Sequence, residues 1–313
     1  MNKITKIGLS ALAGSLVAFS VNAAEMSASG GASLTMSDQG LNNEGNRFTM
    51  GNSVTFSASG ETDGGLTVSA SYELDDDVMD DYSMSFGNDD FGTVTFSGSG
   101  GSSAMSAVDD VVPNAYEEAW HGGGGSVING LTGINSFSYV APSFSGATLT
   151  VSYLPSSEAV SVQSSTSYAL KFSPEMMEGL TIGYASQEDD SGSATATTSD
   201  TSESTLYFTY TSGPISVGYQ ESELDADTNA EDADSSSFGI TYAVTDEFTI
   251  GYGAHTYETT GNANLSDQES TAVSASYTMG GMTIAGVMND MDNVSGAAAT
   301  DREMYELNLS FAF

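Results

Sequence analysis

Apolar and polar residues alternate with a period of two in short runs along most of the chain. The last ten residues show it most fully: Tyr305, Leu307, Leu309, Phe311 and Phe313 alternate with Met304, Glu306, Asn308, Ser310 and Ala312. Such a period places the two sets on opposite faces of a β-strand. Leu66–Tyr72, Leu149–Tyr153, Leu180–Tyr184 and Phe248–Tyr252 repeat the pattern, with Thr, Ser or Gly on the second face. A strand as apolar as the last one has to be paired and covered, because a bare edge invites aggregation. A barrel in lipid meets both needs: it closes its edges and turns its large side chains outward. A soluble barrel would turn them inward, and periodicity does not separate the two.

The connections do separate them. Seven are short and rich in Gly, Pro, Asp and Asn: 60–65, 87–92, 142–146, 173–179, 211–214, 244–247 and 279–281. Those residues suit tight turns. Eight are mostly longer, more acidic and richer in Ser: 38–46, 75–80, 98–133, 155–162, 187–201, 221–235, 258–266 and 289–300. The two kinds alternate. Together they predict an all-β, transmembrane antiparallel barrel of about sixteen strands, with turns at one rim and loops at the other. Aromatic residues fit two interfacial belts. Tyr72, Tyr153, Tyr184, Tyr219 and Tyr252 lie toward the loop ends of their strands, and Phe86, Tyr139, Phe172, Tyr210, Tyr242, Tyr277 and Phe313 toward the turn ends.

The N-terminus points to export. Lys3 and Lys6 precede an apolar run over 7–21, and Val21-Asn22-Ala23 suits a signal peptidase. This predicts a Sec-type signal peptide over 1–23 and a single barrel domain over 24–313. The run is short of the ~20 apolar residues a spanning helix needs. Removing Lys3 and Lys6 leaves Arg47, Lys171 and Arg302 against 42 acidic residues, a formal charge of 3 − 42 = −39. Such a charge opposes nucleic-acid binding. No Cys is present, which excludes disulfides and thiol chemistry.

Phe56–Leu66 reads Phe-Ser-Ala-Ser-Gly-Glu-Thr-Asp-Gly-Gly-Leu, and Phe91–Gly98 reads Phe-Gly-Thr-Val-Thr-Phe-Ser-Gly before the longest connection. With the terminal Phe313, and across nearly the whole mature chain, these stretches resemble the trimeric general porins of Gram-negative bacteria, nearest the alphaproteobacterial type. The resemblance implies a sixteen-stranded barrel whose third loop folds inward and narrows a passive channel for small hydrophilic solutes. It implies a homotrimer in the outer membrane, in contact with membrane lipid and outer-leaflet lipopolysaccharide. It also implies a terminal Phe313 that serves the barrel-assembly machinery as an assembly signal.

The segment 98–133 matches that third loop in position. Within it Asn114 suits an N-cap, Glu117 stands three residues on as in a capping box, and Gly122 suits a left-handed stop. The spacing predicts one to two helical turns. Asp109, Asp110, Glu117 and Glu118 are the candidate acidic side of a constriction. Strand parity turns Arg47, Lys171, Arg302 and His255 inward, as pore-wall cations. Porins of this kind set wall arginines against the loop carboxylates; so few wall cations here put a strong transverse field in doubt. Rings of Asp and Glu favour cations, so cation selectivity is expected.

Asp225, Asp227, Asn229 and Glu231 begin like a calcium-binding EF-hand loop, but Ala230 and Ser236 occupy the Gly and Glu positions it requires. Weak Ca2+ binding and a plain solvated loop both stay open there, and no other cofactor is expected. With only His121 and His255 in the mature chain, no Gly-x-Ser-x-Gly and no phosphate-binding loop, no catalytic set is found and enzymatic activity is not expected. The two alternatives to a general channel are a substrate-specific outer-membrane channel and an acidic, Ca2+-binding secreted β adhesin or binding module.

Overall fold

The computed structural model describes residues 25–38, 40, 46–75, 78–128, 132–133, 135–155, 162–191, 200–226, 232–260, 262 and 264–313. The expected signal peptide, 1–23, lies outside the described residues.

Sixteen antiparallel strands form one closed barrel. They are β1 Glu25–Asp38, β2 Arg47–Glu61, β3 Thr67–Asp75, β4 Val78–Asn88, β5 Gly92–Ser99, β6 Ser136–Val140, β7 Ala147–Leu154 and β8 Val162–Phe172. Then come β9 Leu180–Ser191, β10 Thr201–Ser212, β11 Ile215–Ala226, β12 Ala233–Ala243, β13 Phe248–Thr259, β14 Gln268–Met279, β15 Met282–Asp292 and β16 Arg302–Ala312. Each strand pairs with its chain neighbours, and β16 pairs with β1 from Gly31↔Ala312 to Asp38↔Tyr305. Phe313 completes the seam: its N–H donates to the Gly30 carbonyl at 2.9 Å, and the Gly30 N–H donates back at 3.0 Å. Closure therefore leaves no edge strand.

The alternation read from the chain becomes an outside and an inside. On β16 Leu307, Leu309 and Phe311 are exposed, while Asn308 and Ser310 between them are half-buried and Met304 of the same inner set is buried. On β9 Ile182 and Tyr184 are exposed, while Ala185 and Gln187 are buried. The exposed apolar face is the surface lipid would cover, and the inner face is polar.

The short turns show why register holds. At 62–66 the Thr62 hydroxyl and the Leu66 N–H and carbonyl bond across the turn at 3.1 Å each, and Gly65 takes φ +76°. At 88–92 Asn88 Oδ1 accepts from the N–H groups of Asp90 and Phe91 at 3.1 and 2.9 Å, and Gly92 takes φ +89°. Side-chain oxygens that mimic a backbone turn, followed by a left-handed glycine, pin each hairpin.

One expectation fails. The helix expected at 114–121 does not form, and no helix longer than three residues occurs among the described residues. Ser106–Val108 forms a single 3-10 turn instead. The wall fixes the segment along another path. Ala115 N–H donates to Ser274 Oγ at 3.1 Å, and Asn289 Nδ2 donates to the carbonyls of Glu118 and Ala119 at 3.0 and 2.9 Å. The Asn114 side chain turns back to Asp110 rather than capping forward. Tertiary partners outbid a short helix whose nucleation is costly.

Candidate functional site

The connection from β5 to β6 is closed at its base by a two-residue ladder, Gly101–Ser102 against Thr132–Gly133. Beyond the ladder it runs along inward positions of β8 to β16. Its first part packs on β8–β11. Ala104, Met105, Val108 and Ile128 form one buried cluster with Ala169, Ala185 and Tyr207. Ala104 N–H donates to Ser167 Oγ at 2.9 Å, and Gln220 Nε2 donates to the Val108 carbonyl at 2.7 Å. Its middle crosses β11–β15. A Cβ on Gly218 would lie 2.6 Å from Pro113, and a Cβ on Gly239 would overlap the Pro113 backbone. Those two glycines let the loop backbone lie flat on the wall. Ala119 is buried with Ala272 and Val287, flanked by Tyr116 and Trp120. On the return, Gln268 Nε2 donates to Gly124 O at 2.8 Å, His255 Nε2 donates to Gly125 O at 2.9 Å, and Arg302 donates to Gly122 O at 3.1 Å.

The wall of β1–β5, outside the path traced by these contacts, is of another kind. Its inward positions are mainly hydroxylic: Ser27, Ser57, Ser69, Ser71 and Ser83 line a cleft of about 300 Å³.

The four candidate carboxylates gather on the loop. Asp109 and Asp110 are exposed, yet partial desolvation by the surrounding loop and wall raises them above the ordinary aspartate value, and Asp110 also feels Asp109 and Glu117. Burial, then Asp110 and Glu117, raises Glu118. Glu117 is held below its ordinary value by a hydrogen bond with His121. His121 sits between two acids: Nδ1 lies 3.3 Å from Glu117 and Nε2 3.3 Å from Glu306. Glu117 first, then Glu306, raises its pKa to about 9 against the opposing effect of burial. Tyr116 donates its hydroxyl to Glu306 at 2.6 Å, and burial followed by that carboxylate pushes the phenol up.

Glu117, Glu118 and His121 offer ligand atoms that all lie within 4.8 Å of one another. A divalent metal can use such a mixed set, but it needs a neutral imidazole. A His121 charged at neutral pH and paired on both nitrogens opposes it.

The wall cations are placed apart from one another. Arg302 is taken up by the Gly122 carbonyl. His255 is 3% exposed, meets Ser237 Oγ through Nδ1 at 2.9 Å and packs against Trp120 in a tilted ring contact with centroids 4.3 Å apart. Lys171 lines a cleft of about 330 Å³ with Ala107, Val108 and Val111 of the loop. Arg47 opens β2 opposite Ser37, which also faces Glu306 across β1 and β16. Asp225 lies in β11, while Asp227, Asn229 and Glu231 lie outside the described residues.

A closed sixteen-strand barrel with its longest loop bound to the inner wall can be compared with known proteins. The family model for Gram-negative porins matches residues 8–264. The chain belongs to that family. It is a passive diffusion channel of the Gram-negative outer membrane and not an enzyme. The porin fold is shared with solved structures. An anion-selective porin from Comamonas acidovorans has a TM-score of 0.70 at 14% identity, covering 93% of this chain and 100% of that one. The trimer form of OmpT from Vibrio cholerae gives 0.70 at 14%, with the same coverage. Salmonella typhi OmpF, in complex with daunomycin, gives 0.73 at 10%, covering 94% and 99%. At these identities the likeness is one of fold. A comparison with curated protein sequences finds no match.

Several residues that position the porin's loop were not singled out from the sequence. Glu306 stood in the polar set of the last strand, and a lone carboxylate among Asn and Ser was its signal. Gln220, Gln268 and Asn289 stand at inward positions where Ser, Thr and Gly are the rule. A long amide in such a row marks contact with something inside the barrel.

Proposed function

We propose that this porin is a trimeric, cation-preferring general channel, narrowed by the 98–133 loop, with Asp109, Asp110, Glu117 and Glu118 on the acidic side of the constriction. The observation that carries the reading is the layout of charge. The four carboxylates are grouped on the loop, while Arg302 and His255 are engaged with the loop's own carbonyls. Among the described residues the only Lys and Arg are Arg47, Lys171 and Arg302, with His121 paired to Glu117, too few to balance the acidic side chains, and a net acidic lumen favours cations. The wall of β1–β5 adds hydroxyls that can replace water around a passing solute without selecting its charge. Trimer formation is supported by the family and by the trimer form of OmpT. The alphaproteobacterial subtype rests on the stretches 56–66 and 91–98. Export through a signal peptide over 1–23 rests on its basic, apolar and small-residue order. Phe313, at the barrel seam, is the proposed assembly signal.

The test is planar-bilayer conductance of the mature protein under a salt gradient. Insertions in steps of three with a cation-selective reversal potential are expected. An anion-selective reversal potential overturns the selectivity. Flux of one solute that saturates at low concentration would replace the general channel with a substrate-specific one.

A further inference from the structure

Two polar side chains inside the barrel end in one cleft without a partner. Tyr207 of β10 is only 6% exposed, while Lys171, at an inward position of β8, is exposed. Among the described residues neither the Tyr207 hydroxyl nor the Lys171 ammonium has a hydrogen-bond or ion-pair partner. A tyrosine buried to this degree usually finds one. Both groups line the cleft of about 330 Å³ between the wall of β7–β10 and the first part of the loop.

The register brings the two together. Lys171 stands opposite Gly183 of β9, and Gly183 stands opposite Tyr207. A Cβ at Gly183 would overlap the Cζ and hydroxyl of Tyr207. The ring therefore lies across β9 with its hydroxyl over Gly183, and only the missing side chain lets it reach there. Directly opposed positions are about 5 Å apart at Cβ, so the hydroxyl stands one strand from the root of Lys171, within reach of its long stem.

The rest of the lining has two characters. Ala107, Val108 and Val111 of the loop are apolar, and Thr148, Thr181 and Thr209 of the wall add hydroxyls. No carboxylate lines the cleft, although the chain carries 42 acidic residues. Asp109 and Asp110 follow Val108 in the loop and stand outside the lining, so their charge opposes any second negative charge on a ligand.

We infer that this cleft binds a small organic monocarboxylate with an apolar body, its carboxylate held between the Lys171 ammonium and the Tyr207 hydroxyl. An ammonium and a phenol offer one donor to each carboxylate oxygen, and the charged bond is the stronger. The hydrocarbon part rests on Val108 and Val111. The volume lies at the small end of ligand sites, which run from about 300 to 1,000 Å³. Lys171 is two residues before the turn at 173–179, so the bound acid sits on the turn side of the lumen, against the loop, and obstructs part of the ion path. The site is separate from the constriction carboxylates and does not depend on the selectivity proposed above.

The test is single-channel current of the mature protein in planar bilayers, at fixed KCl and neutral pH, with sodium benzoate, acetate or phosphate added. Wild type, K171Q and Y207F are compared after heat-modifiability shows each to be folded. Benzoate is expected to reduce the wild-type current saturably. Losing a charged bond in K171Q should raise its half-saturating concentration roughly tenfold or more, and losing a neutral one in Y207F about two- to tenfold. Acetate, which lacks the apolar body, and phosphate, which carries more charge, should act more weakly. No saturable effect in wild type overturns the site, and so does an equal effect in wild type and K171Q. An unchanged response in Y207F would reduce the site to a lone cation and overturns the two-donor cleft. Phosphate acting as strongly as benzoate overturns the organic acid. Y207F keeps the ring over Gly183, so it decides the matter if K171Q does not fold.

Discussion

Replacing Glu306 should loosen the loop without opening the barrel. Glu306 accepts from the Tyr116 hydroxyl at 2.6 Å and pairs with His121 at 3.3 Å, so one carboxylate on β16 holds two side chains of the loop. A hydrogen bond to a charged acceptor contributes about 1.5–3 kcal/mol. Raising His121 from 6.5 to about 9 corresponds to roughly 3 kcal/mol at 1.36 kcal/mol per unit. Glu117 is the larger cause and travels with the loop, so about 1 kcal/mol of that belongs to the wall. Together E306A should weaken docking of residues 116–121 by about 3 kcal/mol, roughly a hundredfold in the docked-to-undocked ratio. The anchors from Asn289, Gln268 and Gln220 stay in place, so the unfolding temperature should change little.

Hydrogen exchange at the amides of 116–121 and open-channel current noise read this directly. E306A should lose protection and gain noise. E306Q keeps an acceptor for Tyr116 but loses the charge, and should fall between. The pH dependence follows from the sign of the His121 shift. A raised histidine pKa contributes fully below about 6.5 and is lost as pH rises through about 9. Wild-type noise should therefore increase across that window, and in E306Q the increase should begin at lower pH. Unchanged protection and unchanged noise in E306A would refute the idea that this carboxylate holds the loop.

Three further outcomes follow. Asp109, Asp110 and Glu118 titrate above their ordinary values, so cation preference in the reversal potential should fall with acidification before pH drops to the ordinary range of about 4; a profile flat down to pH 4 contradicts the assignment. G239A places a Cβ against the Pro113 backbone, should cost about 1–3 kcal/mol of overpacking and push the loop into the lumen; single-channel conductance should drop, and a wild-type value would sink the argument. Deleting Phe313 removes the two hydrogen bonds with Gly30, worth about 1–3 kcal/mol at the seam; the folded fraction on heat-modifiability gels should decrease, and an unchanged fraction would mean that the seam does not depend on it.

The barrel was legible in the sequence because its determinants are local. Alternation sets the face of each residue, and turn residues such as Asn88 and Gly92 set each hairpin. Neither requires knowledge of distant residues. The loop was legible only in position and charge. The helix expected at 114–121 followed from local capping signals, yet Ser274 and Asn289, about 160 and 170 residues away, hold the segment at Ala115 and Ala119 along a non-helical path. The parity that turns Arg302 and His255 inward could be read from their strands. Their partners, Gly122 and Gly125, could not, because nothing local tells where a loop backbone will rest.

The chemistry of anchoring bears on selectivity. Apart from Glu306 and Arg302, the wall residues that hydrogen-bond the loop are neutral amides and hydroxyls or His255, and they address its backbone: Ser167, Gln220, Ser274, Gln268 and Asn289. With three Lys and Arg residues over 24–313, ion pairs could not have held a loop this long. Backbone anchoring leaves Asp109, Asp110 and Glu118 outside the Glu117–His121–Glu306 contacts, so these carboxylates can collect without being neutralised by what holds the loop. The two roles then respond differently to salt. Screening weakens charge selectivity within a Debye length of about 8 Å at physiological ionic strength, while buried neutral hydrogen bonds are untouched. Raising salt should therefore erode cation preference while the unitary conductance scales with bulk conductivity. A salt-induced jump in unitary conductance beyond that scaling would mean that charge, and not the neutral anchors, holds the loop.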